Sequence, residues 1–465
     1  MTEIEEILSL PADEAVARLR RKAHDVPPWA ALRRSYEPEL HRIVRDRVGR
    51  RDKAGRGGVV EPASRIRVGV ERLLTRRMAE LMFAIPVQRN YSNADADAAG
   101  AEVARALERV FRVARIDSEN TRRAGAYFAS CEACTVWYAV PKRHGLYGFP
   151  ANFKLRCASY SPMDGYELLP LLDEYGDMGA MSLAYTRREG GRDVAWFETY
   201  TADRHIKWRL DGRAVVALDE RNALGKIPCV YIWRPRPIYD GVELLREEIE
   251  YTLSRNSDVV AYNAAPILKV SGALSGVEDK GESRRIVKVE SGGDVSYVSW
   301  GQAAEAVKWH VDEMFRLIFM QTQIPDISFD NLSHLGAVGY DARKTLLTDA
   351  HLKVGDESGP VLEFLDREVS VVKAFLKLLR PEWAGAVDAT DVENIITPYI
   401  QDDETQNIQR LLTGNGGRPV FSQLESIRLA GYSTDPQATL DQINKEAAEA
   451  QAAQMQGLMA GGSYQ

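Results

Sequence analysis

Apolar residues recur at the spacing of an amphipathic helix in four parts of the chain. Residues 63–84 are the first, and residues 341–379 are the last and longest, with a bend expected near Gly359–Pro360. Between them, residues 241–265 carry one apolar stripe, and residues 303–323 repeat the pattern. The pattern therefore predicts helices at both ends of the chain and a pair of long helices in the middle.

The period changes to two between about Gly125 and Arg236. Aromatic and β-branched residues alternate there with polar ones, and the Gly190–Gly191 and Asp211–Gly212 pairs are typical hairpin turns. This pattern predicts an antiparallel sheet region. We assign its alternating polar residues, such as Asp203 and His205, to the solvent-facing side of the strands rather than to catalysis.

The two middle helices enclose a short, glycine-rich excursion that is predicted to form strands. We expect Asp240 to cap the first of these helices, and a loop at residues 324–340 to follow the second. The order of helix, small tip and returning helix describes a stalk, and its half-acidic surface suits side-by-side packing in a ring. Near the end, a strand at 394–403 is predicted to return to the body. Asp403 and Gln406 have capping-box spacing, and Pro436 suits a first helical position.

Composition narrows the function classes. The chain has 465 residues, 45% of them hydrophobic, and a net charge of −7, so it lacks the overall basic charge of a nucleic-acid binder. No segment reaches the 18–20 apolar residues of a membrane helix. The single CxxC, Cys131 and Cys134, has no second ligand pair for zinc, and we expect buried, reduced cysteines.

Catalytic motifs are missing from the sequence. There is no HExxH, GxSxG, Walker lysine or GxGxxG, and the seven histidines have no metal-ligand spacing. We therefore expect no enzyme activity, no cofactor and no metal. A nucleic-acid-processing enzyme with dispersed acidic metal ligands stays an alternative, as does another structural component of a virion.

Four segments together resemble the portal (head–tail connector) proteins of tailed double-stranded DNA bacteriophages, in the long-tailed branch. They are "NALGKIPCVYI", "ELLREEIEYTLSRNSDVVAYNAAPILKVSG", "TQIPDISFDNLSHLGAVGYDARKTLL" and the stretch from "IITPYIQDDETQ" to "DQINKE". Where the family often has Ser-Gly-x-Ala after its loop, this chain has "HLGAVGYDA". The resemblance implies an α+β, portal-type fold with a wing, a helical stem, a small clip and a helical crown.

The resemblance also implies how the chain divides. The segments are an N-terminal arm (1–60), the wing (61–239), a stem helix (240–263), the clip (264–301), a second stem helix (302–323), the tunnel loop (324–339), a long helix with the return strand of the wing (340–401), the crown helices (402–449) and a flexible tail (450–465).

The implied function is that of a homo-oligomeric ring, of twelve subunits by the resemblance, at one capsid vertex of the virion. Double-stranded DNA would pass non-specifically through its channel during packaging, retention and ejection. The partners would be the major capsid protein, the terminase and the head–tail adaptors, with assembly in the host cytoplasm and no membrane contact.

The Arg-rich N-terminal arm is either a capsid- or DNA-binding segment or a source of inter-subunit ion pairs. Three further groups of residues are candidates for contacts with DNA and with partner proteins. Residues 324–339 contain no Lys or Arg, which suits a channel that contacts DNA without gripping it. The candidates are Asp326, Ser328, Asp330, Asn331, Ser333 and His334 in the tunnel loop; Glu243, Glu247 and Glu250 on the channel face of the stem; and Arg284, Arg285 and Lys288 on the partner surface of the clip.

Overall fold

In a computed structural model, the chain folds into two compact units. The first is made of residues 1–333 and 346–399, and the second of residues 334–345 and 400–465. The residues described are 3–46, 52–54, 60–92, 98–263, 267–271, 274–279, 285–289, 294–298, 303–326, 348–399, 413, 421–430 and 436–461.

Helices and antiparallel strands both contribute to the first unit. Its helices are α1 (Glu3–Leu8), α2 (Ala12–Leu19), α3 (Trp29–Tyr36), α4 (Arg42–Arg45), α5 (Val70–Phe83), α6 (Ala98–Ala114), α7 (Ile116–Ser130), α8 (Glu243–Asn263), α9 (Ala303–Thr322), α10 (Thr348–Leu379) and α11 (Ala384–Ala389). Its strands are β1 (Lys53–Ala54), β2 (Val60–Glu61), β3 (Gln88–Tyr91), β4 (Glu132–His144), β5 (Ala151–Tyr160), β6 (Glu167–Leu172), β7 (Met178–Glu189), β8 (Arg192–Tyr200), β9 (Arg204–Asp211), β10 (Arg213–Arg221), β11 (Cys229–Trp233), β12 (Ile267–Ser271), β13 (Leu274–Asp279), β14 (Arg285–Val289), β15 (Asp294–Val298) and β16 (Val392–Ile395).

Two antiparallel sheets form the centre of the unit. One has the order β11-β4-β5 and the other the order β10-β9-β8-β7-β6. Buried residues that include Cys134, Val136 and Leu183 lie between the sheets. Helices α1 and α2 cover the opposite face of the larger sheet, where Val16 and Leu19 join Phe197 and Trp208 in a separate core. The arm assigned to residues 1–60 is therefore, from Glu3 to Leu19, part of the folded body.

The main core lies where α5, α6, α7 and α10 meet the smaller sheet. A buried ion pair joins these elements, because Arg123 of α7 donates to both carboxylate oxygens of Glu368 at 2.6 and 2.7 Å. The indole N–H of Trp137 on β4 donates to the same carboxylate at 2.9 Å. A buried charge with this many partners fixes the direction of the long helix α10 relative to the sheet.

The predicted antiparallel region is confirmed in kind but begins later than expected. Gly190, Gly191 and Gly212 have positive φ angles of 55°, 83° and 77° at the predicted hairpin turns, which favours glycine. Helix α7, however, continues to Ser130, and Cys131 ends it in the left-handed conformation with φ 67°. The aromatic residues before Cys131 are buried on one helical face rather than alternating along a strand.

Asp240 does not cap α8, contrary to expectation. The helix begins at Glu243, and the carbonyl of Val242 accepts its first hydrogen bond from the Arg246 N–H at 3.0 Å. The Asp240 carboxylate instead pairs with the Arg236 guanidinium at 2.9 Å. Because the helix starts at Glu243, Asp240 lies two residues before the capping position.

The remaining helix and strand predictions have mixed outcomes. Strand β16 pairs antiparallel with β3, which confirms a strand that returns to the body. Helix α10 contains Pro360, and the earlier part of its predicted span, 341–347, lies outside the described residues. Of the strand predicted over 394–403, Asn394 and Ile395 lie in a strand that begins at Val392, residues 396–399 are not strand, and residues 400–403 lie outside the described residues.

The second unit contains α12 (Gln423–Ala430) and α13 (Pro436–Gly461). Pro436 is the first helical residue, as predicted. Of the segment assigned as a flexible tail, 450–465, the residues as far as Gly461 belong to this helix. Its Ala, Gln and Met residues are strong helix formers. Asp403 and Gln406 lie outside the described residues.

Candidate functional site

The candidate site is the helix pair α8 and α9 with the strands between them. Helix α9 packs on α8, and Ile249 and Ile318 are both fully buried where the pair joins the main core. Between the helices, β12 pairs with β15 and β13 pairs with β14, each antiparallel. The strands predicted within 264–301 are therefore present as two ribbons.

One face of α8 is polar and yet buried. Arg246, Glu250 and Ser254 are spaced by four residues and are exposed by no more than 1%. The Glu250 carboxylate receives the Arg246 guanidinium at 3.1 Å and contacts the His41 Nδ1 at 2.5 Å. Glu250 is therefore not part of an exposed channel face, because the N-terminal arm covers it.

The extended segment 62–69 aligns with this face in register, and we call it the strap. The backbone N–H groups of Ser64, Ile66 and Val68 donate to Asp258, Ser254 and Glu250, at 3.0, 2.9 and 2.9 Å. Two residues of extended chain advance about 6.6 Å, and four helical residues advance about 6 Å, so alternate N–H groups meet every fourth side chain. These three side chains therefore serve as hydrogen-bond acceptors for a neighbouring strand-like segment.

Electrostatics at the base of the strap favour a closed ion-pair cluster. Burial raises the pKa of Glu71, and the Arg246 guanidinium, whose Nε donates to the Glu71 carboxylate at 2.9 Å, opposes this rise. Burial alone would lower the pKa of Arg246, but the Glu71 and Glu250 carboxylates raise it. Arg246 is thus a permanent cation shared by two carboxylates from distant parts of the chain.

The other faces of the helix pair carry exposed apolar side chains. Leu244 of α8 is 77% exposed, and Trp309 and Met320 of α9 are 67% and 58% exposed. Of the other two stem candidates, Glu243 has a 58% exposed side chain beside Arg246, and Glu247 lies 3.5 Å from Arg42. The pair therefore has a buried polar side and an open side with large apolar groups.

The tunnel loop begins at an anchor. Arg77 of α5 donates to the Pro325 carbonyl and to the Asp326 carboxylate, both at 3.0 Å, and its guanidinium lies 5.4 Å from the centre of the Phe319 ring. Asp326 is thus the partner of a cation in the body. The other loop candidates, Ser328, Asp330, Asn331, Ser333 and His334, lie outside the described residues.

Two of the three clip candidates lie within the described residues. Arg285 and Lys288 belong to β14, which pairs with β13. Arg284 lies outside the described residues.

Sequence patterns missed the residues that position the stem. His41, Glu71 and Arg77 are charged or polar in sequence, and nothing in their spacing indicates burial. The helix predicted over 63–84 begins only at Val70, because residues 62–69 are extended along α8. Ile66 and Val68, which alternate with polar residues, fit this extended segment.

We also looked for metal sites, reactive cysteines and membrane-spanning helices in the part of the chain that the structure covers. No cluster of three or more His, Cys, Asp or Glu residues there could hold a metal ion. Burial raises the pKa of Cys131 and of Cys157 to about 12, so both thiols are protonated and poor nucleophiles. The helices described include none long and apolar enough to cross a membrane.

Comparison with known proteins decides the family. The family model "Phage portal protein, SPP1 Gp6-like" matches residues 19–453. The chain belongs to the phage portal protein family. It is a structural portal protein.

Solved structures of gene transfer agent (GTA) particles are similar to this portal chain. The neck of an empty GTA particle, computed with C6 symmetry, gives 15% identity and a TM-score of 0.37, covering 78% of this chain and 89% of that chain. The virion of a native GTA particle gives 15% identity and a TM-score of 0.36, covering 90% and 98%. No curated protein sequence matches the chain.

Proposed function

We propose that this portal chain forms a closed ring, of twelve subunits, through which double-stranded DNA is packaged, retained and ejected. The observation that carries the proposal is the open side of the α8–α9 pair. An exposed Trp309 together with Leu244 and Met320 is costly on a free surface, whereas Trp and Met are enriched at protein interfaces.

A ring accounts for the two-sided construction of the stem. The strap holds α8 to its own protomer, which leaves the opposite side to contact a neighbour. When one face of each subunit contacts a different face of the next, the subunits form a closed ring if the rotation from one to the next adds up to a full turn. In this arrangement Leu244, Trp309 and Met320 are covered by the next subunit.

The tunnel loop is proposed to border the channel at its narrowest point. Residues 327–339 contain the carboxylate of Asp330 and the amide of Asn331, and no Lys or Arg. Each phosphate neutralised by a cation releases counterions and deepens a bound state, so a loop without cations lets DNA slide. Arg77 fixes where the loop starts by holding Asp326.

The ribbons between α8 and α9 and the sheet region would contact the partner proteins. The β12–β15 ribbons are proposed to dock the terminase and later the head–tail adaptors, with Arg284, Arg285 and Lys288 facing acidic partner surfaces. The sheet region would contact the major capsid protein at the portal vertex. ATP hydrolysis belongs to the terminase in this proposal, and the chain acts as a conduit rather than as an enzyme.

The channel role is tested by reversing charge in the loop. Asp330→Lys with Asn331→Lys should lower the yield of DNA-filled particles at least tenfold, since new cations would grip the duplex, while ring assembly is unchanged. The control is Glu174→Lys with Asp193→Lys, two exposed acids on the larger sheet, whose charge change of +4 is at least as large as the +3 of the loop variant. Normal yield from the loop variant would refute the channel role without affecting the ring proposal.

A further inference from the structure

A cavity of about 650 Å³ lies at one end of the larger sheet. Its walls are α1, the turn between β6 and β7, the turn between β8 and β9, and Ile227, which lies just before β11. Ligand-binding pockets have volumes of about 300–1,000 Å³, so the cavity is large enough to take up several side chains. None of the residues that line it lies on α8 or α9, so the cavity is separate from the side of the stem that is proposed to pack in a ring.

Half-buried apolar side chains form the floor of the cavity. Ile4, Leu8 and Leu171 pack against the core behind the larger sheet. Met178 and Ile227 pack against the core between the two sheets. All five line the cavity, which therefore lies where the two cores reach the surface. An apolar group placed there would be removed from water on several sides, which is favourable.

The charged residues around this floor are mostly acids. The exposed residues Glu3, Glu5, Asp173 and Asp203 all line the cavity. Among the described residues of the wall, Arg204 is the cation, and its Nε donates to the carboxylate of Asp219, outside the cavity, at 3.1 Å. The charge of Arg204 is therefore already matched, and the carboxylates leave the cavity with a negative rim.

Hydrogen bonds fix the two turns that carry part of this rim. The Asp173 carboxylate accepts the backbone N–H groups of Tyr175 and Asp177 at 2.9 and 2.8 Å. In the other turn, the Thr201 hydroxyl accepts the backbone N–H of Asp203 at 3.3 Å. Walls that are already ordered lose little conformational freedom when a ligand binds. The cavity is thus formed before any ligand enters it.

The acids of the rim are distributed rather than clustered. They come from α1 and from two different turns, and the described residues include no group of three or more acids, histidines or cysteines that could hold a metal ion. Separate carboxylates around an apolar floor suit several cations carried along one chain. A single small cation would meet one carboxylate and leave the floor uncovered, and the phosphates of DNA would be repelled.

We propose that this cavity is a docking site for a segment of another protein in which large apolar side chains are flanked by Lys or Arg. The apolar side chains enter between α1 and the two turns, and the flanking cations lie against Glu3, Asp173 and Asp203. Apolar burial supplies affinity, and the complementary charges supply specificity and faster association. The proposal does not depend on ring formation, because the stem helices contribute nothing to the cavity.

The test measures the binding of fluorescein-labelled peptides to the purified full-length protein by fluorescence anisotropy. The probe peptide KKLLKLLKK carries leucines between lysines. EELLELLEE keeps the leucines and reverses the charge, and KKSSKSSKK keeps the lysines without the leucines. The probe should bind at least tenfold more tightly than either of the other two peptides, because the cavity selects for apolar groups and cations together.

Two variants of the protein place the binding in the cavity. Glu3→Gln with Asp203→Asn should weaken binding of the probe at least fivefold, since two rim carboxylates lose their charge and keep their shape. Ile4→Gln, which replaces an apolar group of the floor, should weaken it to a similar degree. The matched control is Glu220→Gln with Asp193→Asn, which removes one exposed Glu and one exposed Asp of the larger sheet outside the cavity. It should bind the probe within twofold of the wild type.

The outcomes separate a docking site from a general attraction of cations to an acidic protein. Equal losses in the cavity and control variants, or no loss in the cavity variants, would overturn the proposal. Binding of KKSSKSSKK as tight as that of the probe would overturn it too. Thermal unfolding followed by circular dichroism, with an unchanged Tm in Glu3→Gln with Asp203→Asn, shows that the loss of binding is not a loss of fold.

Discussion

The backbone N–H of Val68 donates to the Glu250 carboxylate at 2.9 Å, and this contact joins the N-terminal part of the chain to the stem helix 182 residues later. The same carboxylate holds Arg246 and contacts His41, so three segments meet at one buried acid. The stem is therefore held to the body by hydrogen bonds and charge as well as by apolar packing.

Glu250→Ala should destabilise the protein strongly. It would leave the Arg246 cation with one carboxylate fewer in a buried site and free the Val68 N–H, and such losses cost about 3–5 kcal/mol. Urea unfolding followed by circular dichroism measures the free energy of unfolding. The control is Glu243→Ala on the same helix, whose side chain is 58% exposed, with an expected change below about 0.5 kcal/mol. Equal stabilities of the two variants would contradict the buried cluster.

Arg77→Ala should release the start of the tunnel loop. Loss of hydrogen bonds from a buried guanidinium to Pro325 and Asp326 costs about 2 kcal/mol. Chymotrypsin cleavage at Phe329 under native conditions should become several-fold faster. Arg76→Ala is the adjacent control, because the Arg76 side chain is 79% exposed and, among the residues the structure describes, pairs with Glu80 on the same helix. If both variants are cleaved at the wild-type rate, Arg77 does not anchor the loop.

Because of Glu198, we expect the free energy of unfolding to fall as the pH is lowered into the acid range. Burial alone would raise its pKa, but hydrogen bonds from His205 and Tyr200 outweigh burial and hold the pKa at about 2, below the ordinary 4.5. The stabilisation is therefore complete above pH 4.5 and is lost as the pH falls towards 2, by about 3 kcal/mol. Unfolding free energies measured across this range should fall less steeply in Glu198→Gln than in the wild type.

A suitable control for that titration is Glu174→Gln, an exposed acid on the β6–β7 turn. It should keep the wild-type dependence on pH. An unchanged slope in Glu198→Gln would show that this carboxylate is not held ionised by the sheet.

Trp309→Lys should prevent ring closure without unfolding the protomer. Trp309 is 67% exposed in the single chain, so its replacement costs little stability there, whereas a lysine in a tightly packed contact is unfavourable. Native mass spectrometry should show the loss of the large oligomer. Leu146→Lys is the control, since Leu146 is 51% exposed but lies on the loop after β4. Rings from the Trp309 variant would exclude this side of α9 from the contact.

The sequence predicted the elements of the stem better than their surroundings. The apolar spacing of Leu245, Ile249 and Leu253 was enough to place α8, because helical periodicity is a local property. The role of Glu250 was not predictable in this way, since its partners Val68 and His41 are about 180 and 210 residues away. Charged residues on a helix are usually solvated, and only the long-range packing shows that this one is buried.

Residue type alone does not decide where an element ends. Asp240 is a good capping residue by type, but α8 begins three residues after it, at Glu243. Cys131 lies within an aromatic-rich stretch that fits both a strand and a helical face, and the buried positions of Tyr127 and Phe128 favour the helix. Where a helix or strand begins and ends therefore depends on tertiary contacts as well as on residue type.

Cryo-electron microscopy of the purified full-length protein would show directly whether the stem helices form a ring. We expect closed rings, twelvefold in symmetry, in which Leu244, Trp309 and Met320 of each subunit are covered by its neighbour and the loop after Asp326 points to a central hole. A homogeneous population of monomers at micromolar concentrations, or rings that leave these three side chains exposed to solvent, would contradict it.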